Sequence, residues 1–354
     1  MFEVDFTLNE PFQLESGEIL HEIRLRATIY GRLNADRSNA MLVFHALTGS
    51  SRIDEWWNGI MCDGGVLDAS DTAFVCVNYL GSNYGSTSAS ELKKRLAKHG
   101  RTELPIVTVR DIVKTNVLVL DYLGIERVKA VIGASVGGML ALQTAVDYPE
   151  LAKRTISIGA TPLSAMGLAL NHLQRQAIRQ NDLELARQIA VVSYKSPRRF
   201  GQQFGRKPNR NGENPHTKRA DRFDVGGYLD HQGAAFLDRF ELDSYDLITK
   251  AMDLFDLSNA EIRRIRSKVS LVGISSDWLF PAADVRALKN RFVQLGVDAD
   301  YHEIESEDGH DAFLSDTAEM SRVLRDIFEP VSSEAPVHFM ANRQFSALPA
   351  GCYK

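Results

Sequence analysis

The chain has 354 residues, 44% hydrophobic and 25% charged, the proportions of an ordinary globular protein rather than a disordered chain, a collagenous fibre or a disulfide-stapled miniprotein. Its 41 basic and 46 acidic residues leave a net charge of −5, which argues against a general phosphate-binding surface and so against nucleic acid as a partner. The uncharged stretch Val131–Val146 contains three glycines and falls short of the roughly 18–20 apolar residues that a membrane span needs.

In chain order, Leu20–Tyr30 alternates apolar and polar residues, as a half-exposed strand does. Met41–Phe44, Ala73–Val77 and Val128–Ile132 are short apolar runs bounded by Gly, Asn or Asp, the pattern of strands buried on both faces. Thr108–Leu123 carries apolar residues at helical spacing and stops at Gly124, and Val136–Tyr148 is a second helix ended by Pro149. Thr155–Gly159, Val269–Ile274 and Ala299–Ile304 complete the strands. Strand and helix alternating in this rhythm predict an α/β fold with a mostly parallel central sheet flanked by helices. From about Ala160 to Ser267 the rhythm lapses into a stretch rich in Ala, Leu, Gln and Arg, with a polar loop over Arg206–Asp221. We expect a discontinuous core of residues 1–159 and 268–354, with residues 160–267 a helical lid inserted over the sheet. The tail 331–354 carries no usable motif. Glu3 and Asp5 stand where a signal peptide would carry positive charge, and the three cysteines show no CxxC spacing. A cytoplasmic protein without a metal site is expected.

The most informative segment is Gly133-Ala134-Ser135-Val136-Gly137, a G-x-S-x-G motif between a strand and a helix. A serine on so sharp a turn needs small neighbours, and the helix N-terminus behind it offers N–H groups to a developing oxyanion. The plain alternative is a glycine-rich turn. A serine hydroxyl also needs a base, itself oriented by a carboxylate. Asp277 follows a strand, and His310 lies in the loop Glu307–Phe313 after a later one, the chain order expected of this arrangement. Asp308 is the rival acid, but its position beside the histidine makes Nδ1 hard to reach. The second oxyanion donor is expected in His45-Ala46-Leu47-Thr48-Gly49-Ser50, so that the amides of Leu47 and Val136 form the pair. His45 precedes that loop, and bracing suits it better than catalysis.

Taken together these residues resemble the homoserine O-acetyltransferases of the α/β-hydrolase superfamily. Beyond the elbow and the oxyanion segment, the resemblance rests on Trp56-Trp57, Asn78–Gly81, Gly85-Ser86-Thr87, Ser196-Pro197 with Phe204-Gly205-Arg206, Tyr228-Leu229 with His231-Gln232-Gly233, Arg239-Phe240 and Asp243-Ser244-Tyr245. It continues through Ser276-Asp277, Leu279-Phe280-Pro281 and Gly309–Phe313, so it spans roughly residues 10–330. It implies that Ser135 takes an acetyl group from acetyl-CoA, a substrate rather than a bound cofactor, and passes it to the side-chain hydroxyl of L-homoserine, a step of methionine biosynthesis. It further implies that Arg206 holds the amino acid's carboxylate and Asp311 its ammonium, with Tyr228 in the acceptor pocket, and that the lid forms a homodimer.

Two departures stand out. Gly85-Ser86-Thr87-Ser88-Ala89 replaces an expected Gly-Ser-Thr-Gly-Pro, and the elbow reads Gly-Ala-Ser-Val-Gly-Gly rather than Gly-Gly-Ser-Met-Gly-Gly. Such changes leave open a succinyl donor or a serine acceptor. A serine esterase or thioesterase would share the triad but lack an acceptor clamp, whereas a non-catalytic scaffold would have no use for an intact triad. The sequence lacks the HExxH or clustered ligand spacing that a metal-dependent hydrolase needs.

Overall fold

The centre of the sheet is built where apolar runs are covered on both faces. In the computed structural model, which describes residues 1–98 and 100–329, ten strands form: β1 (Phe2–Leu8), β2 (Phe12–Gln13), β3 (Ile19–Leu20), β4 (Ile23–Tyr30), β5 (Ala40–Phe44), β6 (Ala73–Val77), β7 (Val128–Ala134), β8 (Ala152–Ile158), β9 (Lys268–Ile274) and β10 (Ala299–Ile304). The tail 331–354 lies outside the described residues. Eight strands make one sheet in the order β1-β4-β6-β5-β7-β8-β9-β10, and β2 and β3 pair as a separate hairpin. The pairs β1–β4 and β4–β6 are antiparallel, and every other pair in the large sheet is parallel.

Every residue of β5 and β6 is buried, as parallel strands covered by helices require. Successive side chains of β5 face opposite ways. Ala40, Leu42 and Phe44 join an apolar cluster with the helices Val109–Tyr122, Val136–Asp147 and Ala282–Gln294. Met41 and Val43 join the cluster on the other face, under the helix Thr317–Phe328. The fully buried Trp57 belongs to that second cluster, and its Nε1 donates to the Phe313 carbonyl at 2.9 Å. This bond fixes the loop after β5 to the segment that follows His310.

The alternating run Leu20–Tyr30 is split at Glu22, whose φ of 53° turns the chain between β3 and β4. The N-terminal β1, absent from the sequence-based expectation, pairs along its whole length with β4. Between β8 and β9 the described chain forms helices and no strand: Ala165–Arg179, Leu183–Tyr194, Pro197–Gln203, Asp224–Leu237, Leu242–Leu254 and Asn259–Ile262. No helix among the described residues is long and apolar enough to cross a membrane. Ser88, one of the departing residues, caps the helix Ala89–Ala97 by accepting from the Glu91 amide at 3.3 Å.

Candidate active site

Ser135 stands between β7 and the helix Val136–Asp147 with φ 58° and ψ −128°, outside the regions that a residue with a side chain normally adopts. Such strain costs about 1–3 kcal/mol and persists only where the surroundings enforce it. Here they do. A Cβ on Gly133 would lie 2.1 Å from the Gly137 carbonyl oxygen, and one on Gly137 would lie 2.4 Å from the Phe44 oxygen. The two glycines of the motif let β7, the new helix and the end of β5 approach this closely. The Ser135 amide donates to the Ile158 carbonyl of β8 at 2.9 Å, and its own carbonyl accepts from Gly138 and Met139 to start the helix.

Asp277 follows β9, and its Oδ1 accepts from the amides of Leu279 and Phe280 at 2.8 and 2.9 Å. Those bonds hold the carboxylate so that Oδ2 meets His310 Nδ1 at 2.6 Å. Both residues are buried. His310 Nε2 has no partner among the described residues, the state expected of a base awaiting a hydroxyl proton. Burial alone would lower the His310 pKa, but the charge and hydrogen bond of Asp277, with Asp311 alongside, leave it above the ordinary histidine value. Asp308 is committed elsewhere, to Arg199 at 3.2 Å and the Ser315 hydroxyl at 2.6 Å.

Ser135, His310 and Asp311 line one cavity of about 160 Å³ together with Leu47 and Thr48. Val136 is the first residue of its helix, so its amide has no intrahelical partner. The Leu47 amide makes no hydrogen bond among the described residues. The loop carrying Leu47 is held by His45, whose ring stacks on Tyr79 at 3.7 Å while Nδ1 meets the Ala46 carbonyl at 2.8 Å. Tyr79 in turn donates to the His45 carbonyl at 2.5 Å. Burial pushes the His45 pKa down to about 4, so near neutral pH it is an uncharged brace.

Arg206 and Tyr228 are not brought to this cavity. Helix Pro197–Gln203 carries the chain away, Gly205 turns at φ 55°, and Arg206 emerges exposed with its guanidinium 5.4 Å from the Phe223 ring. Tyr228 packs against Phe204 at 4.9 Å and lines a separate depression with Asn209 and Asp224. Two arginines line the cavity of Ser135: Arg239, which follows the helix Asp224–Leu237, and Arg187, from the helix Leu183–Tyr194, whose contacts are with the aromatic wall. For Arg187 the neighbours are rings rather than carboxylates. Its guanidinium lies 4.9 Å from the Phe236 ring and 5.7 Å from that of Tyr194, which also lines the cavity. The Arg187 Nε is buried without an acceptor, and no carboxylate lies within ion-pair distance among the described residues. Sequence reasoning missed it, because one arginine within a charged, amphipathic lid helix carries no local signature. Asp311 is at the cavity wall as expected, with Lys195 Nζ 3.1 Å from its Oδ2. An unpaired guanidinium and a carboxylate therefore face one small space beside the serine and histidine. Neither departing serine-loop residue, Ser88 or Ala89, lines it.

The chain matches the α/β-hydrolase fold family over residues 39–317. It is 35% identical to the homoserine O-acetyltransferase of Geobacter sulfurreducens over 93% of this chain and 97% of that protein. The homoserine O-acetyltransferase of Caulobacter vibrioides is also 35% identical, over 90% and 92%. Among solved structures, a homoserine O-acetyltransferase from Staphylococcus aureus superposes with a TM-score of 0.76 at 26% identity, covering 94% of this chain and 97% of that one. A homoserine O-acetyltransferase from Bacillus anthracis (TM-score 0.81, 20% identity, 93% and 97% covered) and esterase E22 (TM-score 0.82, 18% identity, 93% and 100% covered) share the fold. With its strained serine elbow and its relatives of 35% identity over nearly the full length, the chain belongs to the homoserine O-acetyltransferase family of acyltransferases on the α/β-hydrolase fold.

Proposed function

We propose that the protein transfers an acetyl group from acetyl-CoA to the side-chain hydroxyl of L-homoserine through an acetyl-Ser135 intermediate, supplying the activated amino acid used in methionine biosynthesis. The observation that carries this reading is the unpaired Arg187 guanidinium facing the cavity of Ser135, His310 and Asp311. An esterase passing its acyl group to water has no need of a cation and a carboxylate at that spot. An α-amino acid has need of both, since a guanidinium grips a carboxylate at two points and a carboxylate receives an ammonium.

In the first half-reaction His310 Nε2 takes the Ser135 hydroxyl proton as Oγ attacks the thioester carbon. The amides of Leu47 and Val136 receive the oxyanion. Collapse breaks the C–S bond, and the imidazolium gives its proton to the departing CoA sulfur. In the second, homoserine lies with its carboxylate on Arg187 and its ammonium on Asp311. His310 takes the proton of its side-chain hydroxyl, that oxygen attacks the acetyl ester, and Ser135 Oγ leaves with the proton returned. Asp277 keeps His310 in the tautomer whose Nε2 is free and stabilises the imidazolium. In this reading Arg187 takes the role that the resemblance gave Arg206, and Tyr228 contributes no contact.

The lid supports the expected homodimer: Met166, Leu173, Leu185 and Val192 on its first two helices leave apolar side chains 41–58% exposed. The reading also places the enzyme in the cytoplasm, where acetyl-CoA and homoserine meet. The test is purified protein with acetyl-CoA, with and without homoserine or serine, following free CoA. Release that rises with homoserine and yields O-acetylhomoserine is expected. Equal release with no amino acid present refutes the transferase reading in favour of a thioesterase, and a preference for succinyl-CoA or serine reassigns the substrates.

A further inference from the structure

The cavity of about 160 Å³ around Ser135 is too small for a coenzyme A thioester, since sites for drug-sized ligands run to roughly 300–1,000 Å³. The donor's arm must leave it. Immediately outside lies an open cavity of about 730 Å³, and the two spaces share Thr48 and Arg239 in their walls. The two spaces therefore abut at the oxyanion loop and one arginine of the lid.

Three arginines line the outer cavity, Arg26, Arg52 and Arg239, together with Glu3 and Glu55, which stand 3.8 Å from Arg26 and Arg52 respectively. The first two arginines are occupied. Arg26 makes two hydrogen bonds to Asp5, at 2.7 and 2.8 Å, and Arg52 makes two to Asp54, at 3.1 and 3.0 Å. Arg239 differs. No carboxylate lies within ion-pair distance of it among the described residues, and its nitrogens reach the Thr48 carbonyl and hydroxyl, each at 3.4 Å, with the Tyr84 phenol alongside. Its guanidinium lies 5.4 Å from the Phe236 ring, the ring that Arg187 also packs against. An aromatic face thus supports two unpaired cations that both line the inner cavity, and of the two Arg239 also lines the outer one. In the reading above Arg187 takes the acceptor's carboxylate, which leaves Arg239 the cation without an assigned partner.

We propose that Arg239 is the donor-specificity residue, holding the anionic, amide-bearing arm of the acyl-CoA where that arm passes from the reactive cavity into the outer one. It acts by donating to the arm's carbonyl oxygens and by drawing the phosphates beyond them into the outer cavity. The proposal rests on the acyl-CoA reading of the function above. It accounts for a charge on the lid segment Arg239-Phe240 that the acetyl-transfer steps themselves do not use.

The experiment compares acylation of Ser135 by acetyl-CoA with acylation by p-nitrophenyl acetate, a donor with no arm, in the wild type, Arg239→Gln and Arg239→Lys. It also measures how free CoA and pantetheine inhibit p-nitrophenyl acetate turnover. In Arg239→Gln, kcat/KM for acetyl-CoA falls at least about tenfold more than that for p-nitrophenyl acetate, the low end of what a hydrogen bond to a charged group contributes. Inhibition by free CoA weakens by a similar factor, and the salt dependence of acetyl-CoA acylation becomes shallower. Arg239→Lys restores most of the loss, since the charge is kept. Equal losses with both donors overturn the proposal and make Arg239 a support of the oxyanion loop. No loss with either makes it a surface residue, and a raised KM for homoserine alone makes it an acceptor residue. Wild-type protein that acetyl-CoA cannot acylate and CoA cannot inhibit refutes both this inference and the transferase reading. Wild-type protein that acetyl-CoA does acylate, with Arg239→Gln unchanged, refutes this inference alone.

Discussion

Replacing Arg187 by methionine separates the acceptor half-reaction from the donor half-reaction. The change keeps an unbranched apolar stem against the Phe236 and Tyr194 rings and removes the guanidinium. The fold should tolerate it. Arg187 makes no ion pair among the described residues, so the loss is two cation–π contacts of about 0.5–1 kcal/mol each. Catalysis should not tolerate it. If the guanidinium meets the homoserine carboxylate beside a buried serine and histidine, removing one partner of such a pair costs about 2–5 kcal/mol. That is a fall of roughly 30- to 5,000-fold in kcat/KM for homoserine. Rapid-quench measurement of acetyl-enzyme formation from acetyl-CoA, and of its decay on adding homoserine, reads the two steps apart. Formation should remain within about threefold of wild type, and decay should slow by the larger factor. Arg187→Lys should recover little, because an ammonium lacks the planar two-point grip. Equal damage to both steps, or damage to formation alone, refutes the acceptor role of Arg187.

Asp277→Asn should leave His310 in place but favour the wrong tautomer, lowering kcat by about 10⁴. Because Asp277 raises the His310 pKa against the effect of burial, the acid limb of kcat/KM in the wild type should lie above pH 6.5, with activity gained as pH rises and the imidazole becomes neutral. In Asp277→Asn the residual activity should show that limb shifted downward, and an unshifted limb would mean that Asp277 does not set it. Ser135→Gly should abolish acyl transfer yet raise Tm by about 1–2 °C in calorimetry, since relief of about 1–3 kcal/mol of strain exceeds the added chain entropy of roughly 0.5–1 kcal/mol. Trp57→Phe removes the donor to the Phe313 carbonyl from a fully buried site, and denaturant unfolding should report a loss of about 2–4 kcal/mol.

Different parts of this architecture speak with different strength in the sequence. The inner strands β5, β6 and β7 are legible because burial on both faces forces unbroken apolar runs, which few other structures produce. β1 is silent for the opposite reason: it lies at the sheet edge with most residues exposed, so its alternation is weak. The elbow, Asp277 and His310 are legible because each occupies a short turn at the end of a strand, where local spacing and chain order carry the chemistry. The charged clamp is not local. Arg187 and Arg206 are both lid arginines, and only packing distinguishes them. One is folded inward over two aromatic rings with no acceptor for its Nε among the described residues, and the other is turned outward after a left-handed glycine. A motif match pointed to the second, while the geometry favours the first.

The central claim is that an acyl group rests on Ser135 and leaves with an amino acid rather than with water. The most direct measurement is mass spectrometry of the intact protein quenched after a single turnover with acetyl-CoA, then chased with L-homoserine. The account predicts one added acetyl group on the Ser135 peptide, stable without acceptor and discharged by homoserine as stoichiometric O-acetylhomoserine. An unmodified Ser135, or an acetyl group lost as acetate at the same rate with and without homoserine, would contradict it.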